Sequence, residues 1–114
     1  MELEPRDASA YHLLGRWAFD VANVPWWKRR VASTLFTAPP DASIEDALFY
    51  FQRAEEISPG FWKANQVMLA RCEEALGHHD KAAEWARSAV RLPVETYDDE
   101  TAHRDAQQLL AKLS

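Results

Sequence analysis

Apolar residues recur every three or four positions along most of this chain, which is the spacing of one buried helix face. Proline or glycine interrupts the pattern between successive stretches, as expected where helices end. Strand-like alternation and glycine hairpin turns are absent. The pattern predicts an all-α fold of about six helices, over residues 8–23, 25–36, 43–58, 61–76, 80–92 and 97–113.

Helix start and stop signals lie at several of these boundaries. Ser43 and Asp46 form a capping-box-like pattern, in which each side chain bonds the backbone N–H of the other residue. Thr96 offers another cap for the last helix, and Asp80 is expected to cap the fifth. Gly77 is expected to close the fourth helix, because glycine readily adopts the conformation found after helix ends.

An internal repeat runs through the middle of the chain. Its first copy is Ala47-x3-Phe51-x2-Ala54 followed by Pro59, and its second copy is Ala82-x3-Ala86-x2-Ala89 followed by Pro93. The copies are 35 residues apart at the alanines and 34 apart at the prolines, and tetratricopeptide repeats have a period of ~34 residues. Small residues in such repeats let antiparallel helices approach closely. We expect Gly15 to do so here, and Phe51 to fill the gap between neighbouring helix pairs.

The chain is predicted to be a single tetratricopeptide-like domain, residues 1–114, built of antiparallel helix pairs. Repeat one spans residues 9–60 with an insertion at 24–41, repeat two spans 61–94, and a capping helix spans 97–113. Two repeats are fewer than the three or so that usually form a stable stack. Either the inserted and terminal helices cover the exposed faces, or the chain is a fragment of a longer array, or it pairs with itself.

Composition narrows the range of functions. A net charge of −5 gives no domain-wide footprint for nucleic acid. No apolar run approaches the roughly 20 residues that cross a bilayer, and the acidic N-terminus lacks the features of a secretory signal. A single cysteine, Cys72, excludes an internal disulfide and fits a reducing compartment. The cytoplasm is therefore the expected location.

Several sequence blocks lie in order between residues 11 and 110. They are His12-Leu13-Leu14-Gly15-Arg16-Trp17, Ala32-Ser33-Thr34-Leu35-Phe36, Pro39-Pro40, Glu45-Asp46-Ala47-Leu48, Ala54-Glu55-Glu56-Ile57-Ser58-Pro59-Gly60-Phe61 and Leu92-Pro93-Val94. In content and order these blocks resemble the C-terminal domain of the regulator of microtubule dynamics family, including its unusual insertion.

The resemblance implies a helical-repeat adaptor that is not an enzyme and needs no cofactor. Members of that family are associated with microtubules and spindle poles, and some with mitochondria. One similar member tethers the outer mitochondrial membrane to the endoplasmic reticulum, and its repeat domain binds phospholipid. The anchor and receptor-binding motif of that member have no counterpart in this sequence, so tethering is not carried over.

The basic triplet Lys28, Arg29 and Arg30 is one candidate partner-binding site, in a stretch without acidic residues. Tubulin tails and anionic lipid headgroups are both acidic, and the adjacent Trp26 and Trp27 suit a membrane interface. The alternative interpretation is that the triplet forms the solvated face of a helix whose tryptophans are buried.

A second candidate site is the concave groove lined by the first helix of each tetratricopeptide repeat. By repeat position, it is lined by His12, Arg16, Phe19 and Asp20 from repeat one, and by Val67, Arg71 and Glu74 from repeat two. Arg16 and Arg71 suit a carboxylate or phosphate ligand. Equally, they are placed to pair with local acids such as Asp20 and Glu74.

Other reactive residues do not suggest a catalytic or metal site. His78 and His79 share a turn, point apart and have no third ligand nearby in the sequence. Cys72 lies on an apolar stripe, as a core residue would, and His103 is expected to form an exposed pair with Asp99. The neighbouring acids lie on predicted helix surfaces or caps, which gives acid–base catalysis no support. They are Glu55-Glu56, Glu73-Glu74 and Asp98-Asp99-Glu100.

The sequence therefore predicts a non-catalytic adaptor that recognises a protein partner. From the resemblance, that partner is expected to be tubulin or microtubules, at microtubules, spindle poles or the mitochondrial surface. One alternative is a phospholipid-binding domain at mitochondrial or endoplasmic reticulum contacts, with a cavity lined by Trp26, Trp27, Val31, Leu35 and Phe36. Another alternative, motivated by the short repeat count, is a self-associating scaffold.

Overall fold

A computed structural model describes residues 7–23 and 42–113 of the 114-residue chain. In these ranges the chain forms helices and no strand, which confirms the predicted all-α class. The helices are α1 (Ala8–Ala22), α2 (Ile44–Ile57), α3 (Lys63–Ala75), α4 (His79–Arg91) and α5 (Tyr97–Leu113). The helix predicted over residues 25–36 lies outside the described residues.

The order of packing follows the order of the helices in the sequence. Each helix packs against the next, and α5 packs against both α3 and α4. Short connections join α2 to α3, α3 to α4 and α4 to α5, so these neighbours run antiparallel. Helix α3 lies between α1 and α5, which have no Cα atoms within 8 Å of each other. The arrangement is compatible with two tetratricopeptide-like pairs and a capping helix, and that division remains our interpretation.

Local side chains cap α2 and α5 as the sequence predicts. Ser43 Oγ accepts a hydrogen bond from the Asp46 N–H, and the Asp46 carboxylate accepts one from the Ser43 N–H, both at 3.0 Å. At α5, Thr96 Oγ1 accepts from the Asp99 N–H at 3.0 Å, and the Asp99 carboxylate accepts from the Thr96 N–H at 3.3 Å. These reciprocal bonds satisfy backbone donors that the first helical turn leaves unpaired.

The turn between α3 and α4 confirms one prediction and corrects another. Gly77 closes α3 with φ +83°. Its N–H bonds the Glu74 carbonyl at 3.0 Å, and the His78 N–H bonds the Glu73 carbonyl at 2.8 Å, which is a Schellman motif. The prediction that Asp80 caps α4 is wrong, because the helix begins one residue earlier. Asp80 lies in its first turn, near the positive end of the helix dipole.

A glycine facing a phenylalanine sets the spacing of α1 and α2. The Phe51 side chain is fully buried in a cluster that includes Leu69 and Cys72 of α3. A Cβ atom at Gly15 would lie 2.7 Å from the Phe51 ring, closer than the 3.5–4.0 Å at which carbon atoms pack. Gly15 therefore faces α2. The buried face of α1 consists of Ala8, His12, Gly15 and Ala18, whereas Tyr11, Leu14 and Val21 are half-buried.

A buried carboxylate joins α2 to the start of α3. Glu55 accepts hydrogen bonds from the Gly60 N–H at 2.7 Å, the Asn65 amide at 3.1 Å and the Gln66 amide at 3.0 Å. The Asn65 amide also donates to the Phe51 carbonyl at 3.1 Å. The prediction that Glu55 lies on a helix surface is therefore wrong. Donors from a distant part of the sequence replace the water that this carboxylate loses on burial.

His12 extends the same network into α1. Both N–H groups of the Asn65 amide already donate hydrogen bonds. The amide oxygen therefore accepts a hydrogen bond from the Nδ1–H of His12, and these two atoms lie 2.9 Å apart. The fully buried imidazole lies against the Trp62 ring, with centroids 4.0 Å apart, and its Nε2 has no hydrogen-bond partner. Burial lowers the pKa of His12; the bond to Asn65 opposes that shift, and the charge of Arg16 adds to it.

Lys63, also buried, fixes α5 against the end of α4. Its ammonium donates to the carbonyl oxygens of Ala89 and Leu92, and to His103 Nδ1 of α5 at 3.1 Å. The first two bonds satisfy carbonyls at a helix C-terminus, where a positive charge is favourable. His103 is therefore half-buried against Lys63 and is not the exposed partner of Asp99 that the sequence predicts. Burial lowers the pKa of Lys63, and the charge of Asp99 opposes this.

We expect Gly15→Ala to lower the free energy of unfolding by about 1–2 kcal/mol, measured by chemical denaturation. Overpacking against the buried Phe51 ring should outweigh the higher helix propensity of alanine. In a Phe51→Leu background the same substitution should cost less, because leucine leaves room at this contact. An equal cost in both backgrounds would show that the ring does not set the helix spacing.

We expect the chain to lose stability as the pH falls below about 6.5, and His12→Gln to lose less. Because the folded-state pKa of His12 is lowered, the unfolded chain binds the proton first, and acid favours unfolding. One such group contributes at most about 1.4 kcal/mol per pH unit, from the ordinary pKa of 6.5 down to the folded-state value. Denaturation of both proteins between pH 5 and about pH 8 measures the difference. Parallel curves would contradict the assignment of a buried neutral imidazole.

Candidate functional site

A groove opens between α1 and α5, with α3 as its floor. It consists of two adjoining depressions of about 230 and 410 Å³, which share Arg71 of α3 and Asp105 of α5. We call it the α1–α3–α5 groove. Its lining residues are Arg16, Phe19 and Asn23 of α1; Trp62, Ala64, Val67, Met68, Arg71, Glu74 and Ala75 of α3 and its cap; and Asp98, Thr101, Ala102, Asp105, Gln108, Leu109 and Lys112 of α5.

The three helices run in the same direction along this groove. The earlier residues of each helix line the first depression and the later residues line the second. Within α3 and α5 the lining residues are three and four positions apart, so each helix contributes one continuous face. At 1.5 Å per residue, the face of α5 from Asp98 to Lys112 is about 21 Å long. This length corresponds to about four turns of a further helix.

Two ion pairs join α3, the floor of the groove, to its α5 wall. Arg71 Nη2 lies 3.2 Å from Asp105 Oδ2, and Lys112 Nζ lies 3.1 Å from Glu74 Oε2. All four side chains keep some contact with solvent, so each pair adds only modest stability. Their main consequence is that the charges in the middle and at the far end of the groove are matched within the chain.

The first depression differs, because its two flanking charges are unmatched. Arg16 stands on the α1 wall and Asp98 on the α5 wall, and both are exposed. Neither side chain forms an ion pair or a side-chain hydrogen bond with any residue that the structure describes. Between them lie the half-buried Trp62 and Ala64, with Val67 and Met68 buried beneath. The chain therefore presents a cation and an anion on opposite sides of an apolar strip.

Most of the residues predicted for a concave groove line this one. Arg16, Arg71 and Glu74 are among them, together with Phe19 and Val67. The alternative of pairing with local acids is wrong: Arg71 pairs with Asp105, 34 positions away on α5, and Arg16 forms no ion pair with Asp20. The structure places His12 in the core, where it has no exposed surface.

Asp20, also predicted for the groove, is exposed on α1 but does not line the groove. The remaining predicted site residues lie outside the described ranges. These are the basic triplet Lys28, Arg29 and Arg30, and the residues of the lipid-binding alternative, Trp26, Trp27, Val31, Leu35 and Phe36. Their proposed roles stay predictions. None of the helices in residues 7–23 and 42–113 is long and apolar enough to cross a membrane.

The contribution of α5 to the groove was missed in the sequence. That helix was interpreted as a cap, although Asp98, Asp105 and Lys112 recur at intervals of seven and so share one face. Trp62, which immediately precedes α3, also lines the first depression. The seven-residue spacing of charges on α5 is the signal that could have identified a polar wall.

Two reactive side chains away from the groove, Cys72 and His78, take part in packing and hydrogen bonding within the fold. Cys72 is fully buried, and burial raises the pKa of its thiol to about 12, so it stays protonated near neutral pH. His78 Nδ1 lies 2.9 Å from the buried Glu73 carboxylate, which corrects the expectation that Glu73 lies at the surface. Within the described ranges no group of three or more histidine, cysteine, aspartate or glutamate side chains could hold a metal ion.

Comparisons with known proteins identify relatives over nearly the whole chain. Regulator of microtubule dynamics protein 1 of Bos taurus is 40% identical over 114 residues, which cover 100% of this chain and 36% of the relative. Regulator of microtubule dynamics protein 3 of Xenopus laevis is 40% identical over 110 residues, covering 96% and 24%. The human protein 1 is 39% identical over 114 residues, covering 100% and 36%. The chain thus spans about a quarter to a third of the length of these relatives.

The family model described as Regulator of microtubule dynamics protein 1-3 matches residues 1–114. This match includes the residues outside the described ranges, 1–6, 24–41 and 114, and it agrees with the sequence blocks that carry the resemblance. With a full-length family match and relatives at about 40% identity, the chain belongs to the regulator of microtubule dynamics family.

Proposed function

We propose that this chain is a non-catalytic adaptor domain whose protein partner is tubulin or microtubules, bound in the α1–α3–α5 groove. The observation that carries the proposal is the groove itself, a continuous trough that three parallel helices line with one face each. The names of the relatives, regulators of microtubule dynamics, support the proposed association with microtubules.

The chemistry of the groove favours a protein ligand. Its floor offers the half-buried Trp62 and Ala64 for apolar contact. Its walls carry charged and hydrogen-bonding side chains, which gives the apolar centre and polar rim typical of protein interfaces. A length of about 21 Å suits a peptide segment of a partner.

The proposed contact with microtubules leads to a separate electrostatic prediction. Lys28, Arg29 and Arg30 remain candidates for contact with the acidic surface of tubulin, and such attraction between exposed charges is screened by salt. Phospholipid binding and self-association remain the alternatives. Native mass spectrometry of the purified chain distinguishes them, because bound lipid or a dimer would each appear as a defined added mass.

We expect Gln108→Trp to weaken microtubule binding at least fivefold in co-sedimentation, because indole would fill the second depression of the groove. Gln107 provides the matched control: it is the same residue type on the same helix, equally exposed, but outside the groove. Gln107→Trp should bind like the unmodified chain, within about twofold. Equal binding by both variants would remove the groove from the microtubule contact. If the unmodified chain does not sediment with microtubules, the proposed function fails for this part of the protein.

We expect the triple variant Lys28→Ala, Arg29→Ala, Arg30→Ala to bind microtubules more weakly at low salt and to show a shallower salt dependence. Removing three positive charges removes the part of the attraction that ions screen. Co-sedimentation across a salt series measures both quantities. Arg87→Ala, a change at an exposed position of α4 outside the groove, is the control for a general loss of charge. Identical salt slopes for all three proteins would contradict a role for the triplet.

A further inference from the structure

The charges along the α1–α3–α5 groove are balanced everywhere except at one end. Arg71 is paired with Asp105, and Glu74 is paired with Lys112. Arg16 and Asp98, which flank the first depression, have no partner among the residues that the structure describes. Among the described residues, a ligand that enters the groove therefore meets an unpaired cation on the α1 wall and an unpaired anion on the α5 wall.

The shape between these two charges suits a helix. Helices α1 and α5 flank α3 without contacting each other, and their lining faces run parallel to the groove. The strip between Arg16 and Asp98 includes the small residues Ala64 and Ala102. Small side chains allow a further helix to approach closely, and its apolar stripe would lie on the half-buried Trp62 and Ala64. An extended segment would cover less of the lining faces of α1 and α5 than a helix would.

We infer that the groove selects an amphipathic helix that carries an acidic residue on one side of its apolar stripe and a basic residue on the other. The acidic side chain pairs with Arg16 and the basic side chain with Asp98, as flanking charges do beside the apolar seam of a coiled coil. Because each wall repels the wrong sign, the two charges provide selectivity as well as attraction. This inference rests on the proposed function, since it names the chemistry of the partner that the groove holds.

The test uses three designed 16-residue helical peptides with the same leucine stripe and different flanks. One peptide has glutamate on one side and lysine on the other, one has glutamate on both sides, and one has lysine on both sides. Fluorescence anisotropy measures their affinities for the full chain. We expect the mixed peptide to bind about fivefold more tightly than either uniform peptide, which corresponds to one or two partly exposed charge pairs.

Charge reversals on the walls should switch this preference. Arg16→Glu makes both walls acidic, so the lysine-flanked peptide should become the tightest binder. Asp98→Lys makes both walls basic, so the glutamate-flanked peptide should become the tightest. Arg87→Glu, an exposed reversal outside the groove, should leave the order unchanged. All three positions are exposed, so we expect each variant to fold. Thermal unfolding measures whether it does.

Several results would overturn the inference, and they separate it from the proposed function. Equal binding of the three peptides, blocked by Gln108→Trp, would keep the groove as a partner site and remove the charge selectivity. Equal binding by a mixed peptide with a central proline would show that the occupant is extended. A dimer of the free chain that all peptides fail to dissociate would make a second copy the occupant. Failure of every peptide to bind would reject the helical ligand, while microtubule co-sedimentation would still report on the proposed function.

Discussion

The buried carboxylate of Glu55 is the interaction on which the rest of the described structure depends. Three N–H donors converge on it, from the turn at Gly60 and from Asn65 and Gln66 in the first turn of α3. Through Asn65 the network reaches the Phe51 carbonyl and His12 of α1. Charge-assisted bonds of this kind are strong because burial removes the competition of water. They fix where α3 starts and how it is rotated, and α3 is the floor of the groove.

Two further contacts place the walls on either side of that floor. Gly15 lets α1 settle against the Phe51 ring, which leaves Arg16, the next residue, free to line the groove. Lys63 anchors α5 through His103 while it also satisfies carbonyls at the end of α4. Since both contacts are buried and specific, the groove is a preformed feature of the packing. Partner binding to a preformed groove requires less ordering than binding by a loop.

What the sequence could and could not reveal follows from the range of each interaction. The caps at Ser43 and Thr96 and the closing turn at Gly77 depend on residues within a few positions, and these predictions are confirmed. The burial of Glu55 and Lys63 depends on partners 5 to 40 positions away, which no local pattern encodes. Arg16, Arg71 and Glu74 line the groove, and the repeat pattern predicted that they share a concave face. The α5 wall was missed because that helix falls outside the repeat.

The chain is a helical domain of the regulator of microtubule dynamics family, and its α1–α3–α5 groove is the proposed partner site, with Arg16 and Asp98 unmatched among the described residues. The most direct test is amide hydrogen exchange of the chain with and without microtubules. We expect added protection along α1, α3 and α5, in segments 16–23, 64–75 and 98–112, and little change in α4. Protection confined to α4, or no change in the segments that line the groove, would contradict the proposed site.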